Sequence, residues 1–332
     1  MEKIRALICP RYGEPEVLEV RSIDLPLPGP KEILIRVRAC GVNFPDVLMM
    51  RGQYQVKPEL PFALGFEVAG EVLEVGDNSV GFSVGDRVIA ILISGGMQEK
   101  VVVSADQCWL MPDSMPFDVA ASFSLTYGTS YHALVNRAQL QEGETLLVLG
   151  ASGGVGSATI DIAHQLGARV IAVGSDEGKM HTLNNLYGLD EMIICAEDRA
   201  SLLDQVKYLT GNKGVDVIFD PVGGDAFQQS MRLVKWNGRI LIVGFASDGK
   251  NIPQASTNLL LLKGSSLLGV FWGRFIQEER EKSDKNFMRL FSWYENGKIR
   301  PAIWKRFQLH EGHHALTALI ERKVVGKCVV LM

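Results

Sequence analysis

The sequence is poor in cysteine: five residues among 332 (Cys9, Cys40, Cys108, Cys195 and Cys328), an odd number, widely spaced and without a C-x-x-C pair. That argues against a disulfide framework and a cysteine-built zinc site, and it fits a reducing compartment. Long apolar runs are missing too. Runs such as Leu259-Leu260-Leu261-Leu262 fall far short of the roughly 18 residues that span a bilayer. There is no excess of positive charge. The net charge is −4, so nothing invites nucleic acid or an anionic membrane. The first residues show neither the apolar core of a secretory leader nor an Arg/Ser-rich transit pattern. A cytoplasmic location is therefore the expectation, with an organellar one left open. What remains is of ordinary soluble composition, 22% charged and 47% hydrophobic. At roughly 150 residues per domain the length predicts two domains, large enough to fold without staples.

The two halves differ in pattern. The first 120 residues alternate as half-buried strands do, at 32–39, 67–75, 86–92 and 100–103, punctuated by Gly65, Gly70, Gly76, Gly81 and Gly85. Residues 120–135 read as one helix. From Thr145 the chain alternates buried strand-like runs (146–149, 170–173, 192–194, 215–219, 240–243, 267–271) with stretches long enough for crossover helices (155–166, 178–186, 199–209, 225–235). Such alternation predicts an α/β fold with a doubly wound parallel sheet. Beyond about residue 275 the pattern turns helical and charged, then closes on an apolar strand at 328–331 that is expected to rejoin the N-terminal domain.

The strongest local feature follows the first of these runs: Gly150-Ala151-Ser152-Gly153-Gly154-Val155-Gly156. A buried strand entering a glycine-rich turn that opens a helix is the setting in which a G-x-G-x-x-G-type motif binds a dinucleotide. Ala151, Gly153 and Gly156 take its three positions. Gly153 lets the backbone approach a pyrophosphate, Gly156 lets helix and strand pack, and the helix N-terminus offers N–H groups to phosphate. The second strand ends in Gly174-Ser175 where NAD enzymes usually carry an acid for the ribose 2′-OH. Ser175 can donate a hydrogen bond, and Lys179 a charge, to a 2′-phosphate. The expected cofactor is therefore NADPH, with Asp176 and Glu177 read as a solvated helix start.

The motifs Gly41-Val42-Asn43-Phe44-Pro45-Asp46, Gly65-Phe66-Glu67-Val68-Ala69-Gly70, Val84-Gly85-Asp86-Arg87-Val88 and Phe219-Asp220-Pro221-Val222-Gly223-Gly224, with the 151–156 turn, resemble the medium-chain dehydrogenase/reductase superfamily. Within it the chain is similar to the zinc-free quinone oxidoreductase branch, over essentially its whole length. The resemblance implies a GroES-like, β-rich catalytic domain (1–122 and 275–332) interrupted by a Rossmann domain (123–274). It also implies a homodimer, for which 267–271 is the candidate pairing edge. Zinc relatives place Cys and His where Asn43 and Phe66 stand, and an amide and a benzyl group are not useful zinc ligands. The expected reaction is hydride transfer from NADPH to a quinone or other α,β-unsaturated carbonyl, which needs proximity and a hydrogen bond to the developing oxyanion rather than a metal. Enoyl or 2-alkenal reduction and non-catalytic, crystallin-like NADPH binding are the alternatives.

By the same resemblance Asn43 would face the nicotinamide ribose or the substrate oxygen, with Asp46 near it, and Tyr54 would donate a hydrogen bond or a proton. A capping residue for Asp46 and a loop aromatic for Tyr54 are the structural alternatives. Thr126, Gly244, Phe245 and Phe271 would line the nicotinamide, or serve as helix packing and strand-end structure. Arg322 would lie near the cofactor phosphates, or be an exposed helix arginine. Cys195 stands where many relatives have a tyrosine beside the adenosine. One motif points elsewhere: His310-Glu311-Gly312-His313-His314 satisfies the H-E-x-x-H pattern of zinc peptidases. Gly312 weakens the helix that pattern needs, so a solvated, structural stretch is expected.

Overall fold

The protein is described by a computed structural model covering residues 2–77, 81–195, 200–247 and 252–332. Its contacts divide it into two units, Met1–Leu125 with Ile303–Met332, and Thr126–Ala302.

The first unit is built from alternating strands: β1 (Lys3–Cys9), β2 (Glu19–Asp24), β3 (Glu32–Val42), then helix α1 (Phe44–Met50), β4 (Phe62–Ala63), β5 (Glu67–Val75), β6 (Arg87–Ile91), β7 (Lys100–Ser104) and β8 (Cys108–Leu110). Strand β1 forms a small sheet with β2 and β4, while β3 pairs antiparallel with both β5 and β7. Antiparallel sheets can bury one face and wet the other, and the burial of β3 alternates accordingly over Ile35, Arg36, Val37 and Arg38. The single helix expected over 120–135 is broken into α2 (Phe117–Ala120), α3 (Ser124–Tyr131) and a π-type stretch at His132–Arg137. The break has a chemical cause. The Ser122 hydroxyl donates to the Val119 carbonyl, and α3 restarts where the Ser124 hydroxyl and the Leu125 N–H meet the Glu67 carboxylate. A carboxylate at that point satisfies otherwise orphaned helix donors.

The second unit alternates strand and helix: β9 (Thr145–Val148), α4 (Gly154–Gln165), β10 (Arg169–Gly174), α5 (Glu177–Tyr187), β11 (Glu191–Ile194), α6 (Ala200–Leu209), β12 (Val215–Asp220), α7 (Gly224–Leu233), β13 (Val234–Ile242), α8 (Thr257–Lys263), β14 (Ser266–Gly269), α9 (Trp272–Glu278) and α10 (Arg280–Glu295). The six strands form one sheet in the order β11-β10-β9-β12-β13-β14, every neighbouring pair parallel. This is the doubly wound arrangement, with its order reversing between β9 and β12. Each expected strand is present. The last stops at Gly269, and Phe271 becomes the residue before α9. Arg199, the expected start of the third helix, lies outside the described residues.

The chain then re-enters the first unit as β15 (Ile303–Gln308), α11 (Gly312–Ile320) and β16 (Lys327–Leu331), the last pairing antiparallel with β3. This return comes at Ile303 rather than residue 275. Residues 275–302 stay with the second unit because Phe275 stacks on His132 at 3.9 Å and Asn286 donates to the Asn136 side chain at 2.8 Å. The His310–His314 stretch straddles a 3-10 turn (Leu309–Glu311) and the start of α11. Glu311 is used to accept the Gln308 N–H, so no single helix face presents both end histidines.

Candidate active site

In the second unit the turn after β9 is held by backbone. Leu149 N–H donates to the Phe219 carbonyl, Ala151 N–H to Val173, and Gly153 N–H to Gly150. Gly150 has φ +60°, a left-handed conformation that favours glycine. A Cβ at Gly156 would sit 2.4 Å from the Gly150 oxygen, so only glycine lets α4 start this close to the strand. At Gly153 the surroundings differ. A Cβ there would meet only the Gly150 oxygen, at 3.4 Å, and the residue is exposed. That leaves room for a ligand above the turn, facing the unpaired N–H groups and positive dipole end of a twelve-residue helix. Ser152, Gly154 and Val155 are half-buried around it, and Ala151 is buried beneath.

At the end of β10, Gly174 and Ser175 differ in the space around them. A Cβ at Gly174 would lie 2.4 Å from the Met180 sulfur. Ser175 is exposed. Asp176 spends its carboxylate on the Lys179 N–H, capping α5 at 2.9 Å. Cys195 follows β11 and donates its N–H to the Gly174 carbonyl. The observed turn and strand ends therefore fit a dinucleotide. Helix α4 is anchored from behind. Asp161 accepts the Tyr127 hydroxyl and the Arg300 N–H, both at 2.6 Å, and burial pushes its carboxyl up to about 6 against those bonds. Thr126, one residue before Tyr127, is buried. Gly244 and Phe245 are half-buried at the end of β13, whereas Phe271 is 61% exposed.

In the first unit the residues around Asn43 form a buried polar network. Lys327 on β16 donates to the Val42 carbonyl and to Glu67 Oε1, both at 2.8 Å, and to Asn43 Oδ1. Asn43 Nδ2 donates to Glu67 Oε1 at 2.9 Å. The other Glu67 oxygen takes Ser124 and Leu125, as described above. Every member is satisfied, which is what makes a fully buried charge pair tolerable. Asn43 is thus 4% exposed with both ends of its amide engaged. Asp46 is fully buried; its oxygens accept the Asn43 N–H at 2.8 Å and the Gly65 N–H at 2.9 Å. Burial raises its carboxyl to about 7, resisted by those two bonds and by the Lys327 charge. Helix α1, capped in this way, carries Tyr54: the Gln53 and Tyr54 N–H groups both donate to the Leu48 carbonyl. The Tyr54 ring meets Phe66 edge-on at 5.3 Å. Burial, then the Asp46 carboxylate, push its hydroxyl above the ordinary tyrosine range, so it stays protonated at neutral pH. Arg322 is exposed just past α11, with φ +55°.

Comparison with known proteins fits this division. Residues 29–113 match the model for the alcohol dehydrogenase GroES-like domain, and residues 154–289 that for zinc-binding dehydrogenases. The chain is 37% identical to a quinone oxidoreductase-like protein 2 homolog of Nematostella vectensis, over 98% of this chain and 88% of that one. The chain belongs to the quinone oxidoreductase family of medium-chain dehydrogenase/reductases. It is an oxidoreductase of that family. Its fold is similar to a mycobacterial protein solved in complex with NADPH (TM-score 0.91, 31% identity, 99% and 100% of the two chains). It is also similar to the enoyl reductase CurK (TM-score 0.89, 26% identity, 100% of both chains).

Although one matching model is of zinc-binding dehydrogenases, the donors around Asn43 do not fit a zinc ion in this quinone oxidoreductase relative. The Asn43 oxygen is engaged by an ammonium, Phe66 offers no donor, and Glu67 is paired with Lys327. Among the described residues no three His, Cys, Asp or Glu side chains gather as metal ligands. No helix among them is long and apolar enough to cross a membrane. Sequence reasoning missed Glu67, Ser124 and Lys327. The available signal was a charge heading an apolar run, as in Glu67-Val68-Ala69-Gly70 and Lys327-Cys328-Val329-Val330.

Proposed function

We propose that the protein is an NADPH-dependent reductase that delivers a hydride to a quinone or another α,β-unsaturated carbonyl without a metal. The observation that carries this reading is the turn at 151–156, open above Gly153 and closed beneath Gly156, at the point where the strand order reverses. The Ser152, Gly154 and Val155 N–H groups bind the pyrophosphate there, Ser175 and Lys179 the 2′-phosphate, and Arg322 assists at the phosphates. Thr126, Gly244, Phe245 and Phe271 are assigned to the nicotinamide, and Cys195 to the adenosine. Bound NADPH supplies the hydride. Tyr54 holds its proton at neutral pH and gives it to the reduced acceptor. Asn43 and Asp46 act by holding α1, from which Tyr54 hangs. The part-exposed edge strand β14 pairs two copies into a homodimer, which light scattering tests: a monomer at all concentrations removes that element.

The test of activity is loss of reduced-nicotinamide absorbance with a panel of quinones and a panel of 2-alkenals. Turnover with quinones is the expected result. Turnover confined to alkenals or enoyl thioesters selects the second reading, which the likeness to an enoyl reductase favours. Tight NADPH binding without oxidation by any acceptor overturns catalysis and leaves a nucleotide-binding protein.

A further inference from the structure

Strand β12 is buried along its whole length and ends on an acid, Asp220, that is 1% exposed. One of its oxygens, Oδ1, accepts the Val222 and Gly223 N–H groups, both at 2.8 Å. The other, Oδ2, is buried without a hydrogen-bond partner among the described residues. Leaving such an atom unpaired costs about 1–3 kcal/mol, so a side chain of this kind at this place asks for a reason beyond packing. Burial raises its carboxyl above the usual range while the two N–H bonds oppose the shift.

The two bonds fix a turn that other parts of the unit lean on. Gly223 adopts φ +69° and ψ −153°, open only to glycine. From this turn a short ladder runs to the segment after β13: Val243 N–H donates to the Asp220 carbonyl, Ala246 N–H to Pro221 and Ser247 N–H to Val222. A Cβ at Gly223 would lie 2.9 Å from the Phe245 ring, one at Gly244 3.2 Å from the Pro221 oxygen, and one at Gly150 3.0 Å from Val222. The turn is thus wedged between the phosphate-side glycine turn and the Gly244–Phe245 segment. In a doubly wound sheet each half serves one mononucleotide, and the ends of β12 to β14 belong to the second.

The geometry points to Asp220 as a positioning residue for the nicotinamide half of the dinucleotide, acting through the 221–223 turn on Phe245. This rests on the dinucleotide reading above. It separates two tasks within one ligand: the N–H groups of Ser152, Gly154 and Val155 hold the phosphates, and the Asp220 turn sets where the ring lies.

The experiment measures NADPH affinity by calorimetry and, separately, the emission and anisotropy of the bound reduced nicotinamide, for wild type, Asp220→Ala, Asp220→Asn and Gly223→Ala. Asp220→Ala is expected to change affinity by no more than about threefold, while the emission of the bound ring falls toward that of free cofactor. With an acceptor present, kcat falls about 10- to 100-fold at little-changed KM for NADPH. Asp220→Asn, which keeps an oxygen for both N–H groups, restores the wild-type emission. Gly223→Ala disturbs the same turn without touching the acid and reproduces the loss if Asp220→Ala fails to fold. Unchanged emission in both Asp220→Ala and Gly223→Ala, or affinity lost in step with emission, overturns the proposal. A wild-type protein that does not bind NADPH overturns the dinucleotide reading itself, and this inference with it.

Discussion

The turn after β9 and the network around Glu67 occupy opposite ends of a chemical range. The turn contains no charge and almost no side chain. Its character comes from where backbone N–H groups point and from which glycines have room for a Cβ. The network around Glu67 is all side chain, with an ammonium, two carboxyl groups and an amide removed from water. The first leaves space above Gly153; the second is closed, each of its polar groups paired with another. The difference teaches where tolerance lies. An open backbone site loses function before it loses stability, whereas a closed ionic one loses stability first.

The largest expected effect tests the closed side. Glu67→Gln or Lys327→Met leaves its partner charged and unpaired in the interior, and either should cost about 3–5 kcal/mol in denaturant unfolding. The double variant should cost clearly less than the sum, since no lone charge remains. Additive losses would mean that the pair is not coupled.

Asp46 sharpens the same contrast through pH. Its folded value of about 7 lies above the ordinary 3.8. Its contribution is therefore fully present below about pH 4 and is lost as pH rises through 7. Between those limits wild type should lose roughly 3 kcal/mol relative to Asp46→Asn, which mimics the protonated form. Parallel stability curves for the two proteins would contradict the assignment.

On the open side, two neighbouring glycines should behave oppositely. Gly156→Ala, with its Cβ 2.4 Å from the Gly150 oxygen, should lose about 1–3 kcal/mol of stability and NADPH binding together. Gly153→Ala has space and should unfold within about 0.5 kcal/mol of wild type while still weakening NADPH. Equal stability losses would break the distinction between the two positions. Smallest of all, Lys179→Ala should reduce the preference for NADPH over NADH by about tenfold, near 1.4 kcal/mol. Equal wild-type affinity for the two dinucleotides would remove the 2′-phosphate assignment.

These regions also differ in how far the chain announced them. The six strand runs and the turn at 151–156 were legible because a parallel sheet buried on both faces leaves continuous apolar runs, and because close backbone approach demands glycine at fixed spacing. The network was not, since its members come from four separated stretches, Asn43, Glu67, Ser124 and Lys327, and pairing across a sheet leaves no local periodicity. The same limit explains the helix expected over 120–135. Its residues carry a helical pattern, but a carboxylate from β5 resets the start at Ser124. It also explains the return point near 275, where the charged character of α10 concealed the aromatic and amide contacts that hold it to the second unit.

The Met180 sulfur beneath Gly174 has a bearing on redesign. Where a doubly wound sheet binds an unphosphorylated dinucleotide, an acid at the tip of the second strand takes the ribose hydroxyls. An acid written at Gly174 would bring its Cβ within 2.4 Å of that sulfur, so the thioether would have to shift or be shortened, whereas Ser175 beside it is exposed.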